Sequence, residues 1–124
     1  MSGSIPKEAE VRFSRDFDSL LTDVVDEVFE RFFGKSSGAV YYHLTLRYRI
    51  KRRDIPSDLN GFSDGLRGIF KEGGLTIERA IVKEVYLRAG VSRDFTRREK
   101  FSTQIQRARK HYIDERWRRQ QQGE

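Results

Sequence analysis

The sequence predicts an all-α fold, a compact helical domain of about four core helices with a long basic helix at its carboxyl end. Three observations predict it. Apolar residues recur at three- and four-residue steps through most of the 124 residues. Glycines or an Asp-Ile-Pro turn separate those runs. The last run follows Thr96-Arg97-Arg98-Glu99, the pattern of a capping box, in which threonine and glutamate each satisfy a free amide at the start of a helix.

A chain of this length suits one domain of roughly 100–150 residues with a single core. At 36% hydrophobic and 35% charged residues it can bury a core while keeping a heavily ionised surface. There is no cysteine, which excludes disulfides, thiolate metal sites and thiol nucleophiles. No apolar run approaches the roughly 20 residues needed to span a bilayer, and MSGSIPKEAE lacks the basic-then-apolar order of a secretory signal. The expectation is a cytoplasmic protein without membrane contact.

Residues 1–12 are small, polar and unpatterned, and read as a flexible arm ahead of a core domain over 13–91. From Phe13, the residues Phe17, Leu20, Leu21, Val24, Val25, Val28, Phe29, Phe32 and Phe33 define a broad helical face. Ser14 or Asp16 is placed to cap its start and Gly34 to end it. The segment 39–50 carries two signals. Val40, Tyr42, Leu44, Leu46, Tyr48 and Ile50 alternate as in a strand, but no second segment alternates comparably to pair with it. Val40, Tyr41, Leu44 and Tyr48 also share a helical face, and helix is the preferred reading.

Asp54-Ile55-Pro56-Ser57 reads as a turn, since proline disfavours helix in the residue before it. Leu59, Phe62, Leu66, Ile69 and Phe70 give a third helix that Gly73-Gly74 breaks. Leu75, Ile77, Ala80, Ile81, Val85, Tyr86 and Leu87 give a fourth, ended by Gly90. Residues 92–124 form the basic helix, running from about Thr96 to Arg119. Its narrow seam of Phe101, Ile105, Ala108 and Tyr112 is suited to docking on the core or on a second copy, so a homodimer is expected.

Residues 23–90, slightly more than half the chain, carry a pattern of motifs. These are the Phe33-Gly34 break, Tyr41-Tyr42-His43-Leu44, Asp54-Ile55-Pro56, Phe62-x₃-Leu66-x₂-Ile69-Phe70, and Gly73-Gly74 leading into Ile77-Glu78-x₂-Ile81. The pattern resembles a small archaeal output-domain family of nitrosopumilus-type signalling proteins. The resemblance implies a helical Tyr-Tyr-His-Leu segment and a regulatory or binding role, and it brings no catalytic residues.

Phe33-Gly34-Lys35-Ser36-Ser37 has the lysine and serine of a phosphate-binding loop. Phe29 stands where that motif needs glycine, and a helix precedes it, so a helix stop is expected. Asp23, Asp26, Glu27 and Glu30 are spaced to share one side of the first helix, without the Glu-x-x-His pairs that carboxylate metal sites use. His43 is expected to be a partly buried structural histidine, and His111 lies among Arg109, Lys110 and Tyr112. No nucleophile, base and orienting group can be named together, so neither enzyme activity, cofactor nor metal is expected.

Charge is the informative feature. Met1 to Glu30 holds eight acidic and three basic residues, and Ser92 to Glu124 ten basic and five acidic. Arg97, Arg98, Lys100, Arg107, Arg109, Lys110, Arg116, Arg118 and Arg119 make the carboxyl-terminal helix cationic, and Arg47, Arg49, Lys51, Arg52 and Arg53 form a second cluster. Such groups neutralise phosphates and release counterions without needing base-specific contacts. The expected function is a small regulatory or DNA-associated module that holds nucleic acid by its phosphates. The alternative is a protein-interaction or oligomerisation module whose basic helix docks on an acidic protein surface, such as the first helix of another copy.

Overall fold

The structure, a computed structural model, describes residues 4–92 and 99–123. It is all-α, with no strand among the described residues. Among the described residues five helices follow in order: α1 (Lys7–Phe33), α2 (Ser37–Tyr48), α3 (Leu59–Phe70), α4 (Glu72–Ala89) and α5 (Phe101–Gln122). Short 3₁₀ turns at Gly34–Ser36 and Arg52–Ser57 join α1 to α2 and α2 to α3. No described helix is long and apolar enough to cross a membrane.

Helix α1 is the central element and touches α2, α4 and α5. The predicted stripe supplies Phe17, Leu21, Val24, Val25, Val28 and Phe29, all fully buried. Phe29 meets the rings of Phe33, Tyr41 and Phe62, tying α1 to α2 and α3. Gly34 ends α1 at φ 57°, a conformation that glycine adopts without steric cost.

The arm reading fails from Lys7 onward. Those residues are the opening turns of α1, led in by Pro6, whose carbonyl accepts from the Glu10 amide. Ala9 and Phe13 are buried with Ile113 of α5 in a small second cluster flanked by Ile5 and Trp117. The partner surface lies about a hundred residues away in sequence, so no local pattern announces it. Ser14 and Asp16 accordingly lie inside α1 and do not cap it.

Residues 37–48 are helical, as preferred. Val40 and Leu44 are buried, Tyr41 and Tyr48 half-buried. Tyr42 and Leu46, which created the strand-like alternation, are 62% and 63% exposed. Arg49, at φ 57° and ψ 35°, closes α2 by a left-handed turn in which its amide donates to the Thr45 carbonyl and the Ile50 amide to that of Leu44. Ile50 is thereby turned into the core.

The break between α3 and α4 falls at Lys71, φ 55° and ψ −125°, and the glycine pair opens α4 rather than separating the helices. Gly74 has a packing reason instead. A Cβ there would stand 2.8 Å from the Leu66 carbonyl oxygen, so glycine lets the two helix ends meet. Leu75 and Leu87, read as part of the α4 stripe, are exposed.

Helix α5 opens at Phe101, later than predicted. Glu99 therefore precedes the helix, and Thr96, Arg97 and Arg98 lie outside the described residues. Phe101, Ile105 and Ala108 are buried in the main core and Tyr112 packs against it. The seam thus docks on its own chain and is not open to a second copy, which corrects the expected homodimer through that seam.

Candidate anion-binding surface

The two basic clusters meet different fates. Arg109 is the most enclosed of them, its side chain 16% exposed. Its Nη1 donates to Asp18 Oδ1 at 2.6 Å and Ser14 Oγ at 2.9 Å, its Nε donates to Gln106 at 2.9 Å, and its guanidinium lies 4.9 Å from the Phe17 ring centroid. Arg116 reaches Asp16 at 3.3 Å and lies against the rings of Tyr112 and Phe13. Arg107 makes two 2.6 Å hydrogen bonds to the Glu99 carboxylate. These three are tied to acids of the same chain, which leaves fewer of their donors for a phosphate.

Lys110, Arg118 and Arg119 project outward, each paired within α5: Lys110 with Asp114 at 3.6 Å, Arg118 with Glu115 at 2.9 Å and Arg119 with Glu115 at 3.8 Å. Exposed pairs of this kind contribute about 0–1 kcal/mol and exchange readily for a phosphate. Lys100 is exposed and has no acidic partner among the described residues.

In the second cluster only Arg52 is engaged. Its Nε and Nη2 donate to the two carboxylate oxygens of Asp26 at 2.9 and 2.7 Å, and Tyr41 donates its hydroxyl to the same carboxylate. The Arg52 hydrogen bond holds the Asp26 carboxyl below its ordinary range, helped by Tyr41 and opposed by burial. Burial, and then the hydrogen bond to Asp26, push the Tyr41 hydroxyl up. Arg47, Arg49, Lys51 and Arg53 are exposed and make no ion pair among the described residues. Four free cations thus stand within seven residues where α2 turns into the 3₁₀ segment. Tyr42 and Leu46 form an exposed apolar strip on the preceding helix.

The chain matches no family model, no curated protein and no solved structure. The functional reading therefore rests on geometry.

The remaining candidates separate. Gly34–Ser36 is the 3₁₀ turn that ends α1, with helix before it. The acidic residues of α1 are not one cluster: Asp26 faces Arg52, while Glu27 is bound by Arg88 of α4, which also holds Glu84. Arg88 depresses the Glu27 carboxyl by hydrogen bonding to it. His43 is exposed on α2 with its ring against Tyr42, contrary to the partly buried structural role expected of it, and His111 is half-buried. Among the described residues no three His, Cys, Asp or Glu side chains gather as a metal site would require.

Two features were not legible in the sequence. Glu78 is 3% exposed on α4 and accepts from Ser63 Oγ at 2.5 Å and Arg67 Nη2 at 3.1 Å, joining α3 to α4. Arg52, Arg53 and Arg109, drawn from both clusters, line one open cleft between α1, the 3₁₀ segment and α5. Arg53 and Arg109 are 56 positions apart, so no spacing rule connects them.

Proposed function

We propose that this chain is a small DNA-associated regulatory module that contacts nucleic-acid phosphates through the basic turn at residues 47–53. The observation that carries this reading is that Arg47, Arg49, Lys51 and Arg53 are exposed and make no ion pair among the described residues, whereas Arg107, Arg109 and Arg116 of α5 each hold an acid of the same chain. Free cations set close together displace condensed counterions from a phosphate chain, and that release supplies affinity without reading bases. Lys100, Lys110, Arg118 and Arg119 add a diffuse field.

The test is a titration of the full chain with duplex DNA at several salt concentrations. Affinity is expected to fall steeply as salt rises, and the R47E/K51E variant is expected to lower both affinity and the salt slope, by about one unit of slope for each lost phosphate contact. Binding that is absent at low salt, or indifferent to salt, refutes the reading. A second reading is favoured by Tyr42 and Leu46, whose exposure beside the cations suits an acidic protein partner with apolar anchors. The Y42S/L46S variant separates the two: it leaves duplex binding unchanged under the first and abolishes partner binding under the second.

A further inference from the structure

The cleft between α1, the 3₁₀ segment and α5 has a volume of about 530 Å³, wide enough for a nucleotide-sized ligand. Its wall is polar, and its donors are only partly used. Arg109 commits Nε and Nη1 to Gln106, Ser14 and Asp18, leaving Nη2 with a 3.5 Å approach to the Pro56 carbonyl. Arg52 commits Nε and Nη2 to Asp26, leaving Nη1. Arg53 has no ion pair among the described residues, and the hydroxyl of Ser19, which α1 contributes to the lining, makes no hydrogen bond among them.

These partners have a consequence for binding. Asp26 and Asp18 hold two guanidinium planes in fixed positions, so little side-chain freedom is lost when a ligand arrives. Asp23 also stands 4.0 Å from Arg52 and Asp18 itself lines the cleft, so Arg53 is the one arginine of the three without an ion pair among the described residues. A group that meets guanidinium edges and a hydroxyl from several directions needs several acceptor oxygens around one centre, together with negative charge. A phosphate monoester has both. A carboxylate, with two coplanar oxygens, reaches fewer of these donors.

We infer that this cleft binds a terminal phosphate monoester, carried either by a nucleic-acid end or by a free nucleotide. In the first form the inference rests on the phosphate-contacting reading above; in the second it stands alone. The experiment is calorimetric titration of the full chain with four probes. These are a single-stranded oligonucleotide with a 5′-phosphate, the same oligonucleotide with a 5′-hydroxyl, adenosine 5′-monophosphate and adenosine.

The phosphorylated member of at least one pair is expected to bind about tenfold more tightly, the worth of one charge-assisted hydrogen bond. R53Q is expected to erase that preference. Arg53 and Ser19 are exposed, so R53Q and S19A leave the core intact, and S19A is expected to reduce the preference several-fold. Preference in both pairs, or in the nucleotide pair alone, makes a free nucleotide a ligand; preference in the oligonucleotide pair alone assigns the site to a nucleic-acid end. Equal affinities within both pairs, or a preference that survives R53Q, overturn the inference. Equal, salt-dependent binding of both oligonucleotides together with equal affinities for the nucleotide and the nucleoside sinks the cleft and leaves the basic turn standing, whereas nucleotide discrimination without any oligonucleotide binding does the reverse.

Discussion

Arg109 illustrates how one residue's surroundings change its meaning. In the sequence it is one cation in a basic run; in the fold it is held by Asp18 and Ser14 against the face of Phe17. Removing its partner leaves a largely enclosed guanidinium without a counter-charge, so Asp18→Ala is expected to cost about 1–3 kcal/mol, read by denaturant unfolding. Asp26 gives the clearest pH prediction. Its folded-state pKa lies below the unfolded value near 3.8, chiefly through the Arg52 hydrogen bond. A depressed carboxylate contributes stability that is present above the unfolded pKa and is lost as pH falls through the folded one. The thermal midpoint is therefore expected to drop below about pH 4, and Asp26→Asn to lack its share of that drop. Parallel pH profiles for the two proteins would contradict this account. The Asp26–Arg52 contact was not legible, because Asp26 looked like one member of an acidic row on α1.

At the scale of elements, α1 and α5 run antiparallel. Asp18 and Ser14 meet Arg109, Asp16 meets Arg116, and Arg12 meets Gln120, so numbers fall along one helix as they rise along the other. This pairing makes the first turns of α1 part of the fold. A chain beginning at Phe13 loses Ala9 from the second cluster and is expected to melt at a lower temperature, where a true arm would be dispensable. Ile105 is fully buried on the α5 seam, and Ile105→Ala is expected to cost about 2–5 kcal/mol by equilibrium unfolding. The α1 stripe, the α2 helix and the glycine stops at Gly34 and Gly90 were legible, since each reports local periodicity or backbone conformation. The α3–α4 junction was not: the glycine pair marks a close approach of two helices, and the break itself falls at Lys71.

For the whole molecule, the opposition of an acidic amino-terminal stretch and a basic carboxyl-terminal one is answered in part within one chain, by Asp18–Arg109 and Asp16–Arg116. The acidic partner foreseen for the basic helix on another copy is the first helix of the same copy. With Phe101, Ile105 and Ala108 buried in the core, sedimentation is expected to give the mass of a single chain, 14.6 kDa. A dimer dispersed by an outward α5 variant such as R118E/R119E would show the opposite. The exposed cations without an ion pair among the described residues thus gather less on the carboxyl-terminal helix, where basic residues are most numerous, than at the turn after α2.

The sequence by itself determined the helical class, the main apolar faces and the stops at Gly34 and Gly90, because periodicity and backbone conformation act over a few residues and leave local traces. Only the tertiary structure decided which charges remain available. An arginine's availability depends on whether an acid from a distant segment is brought within hydrogen-bonding reach, and chain order carries no record of that distance.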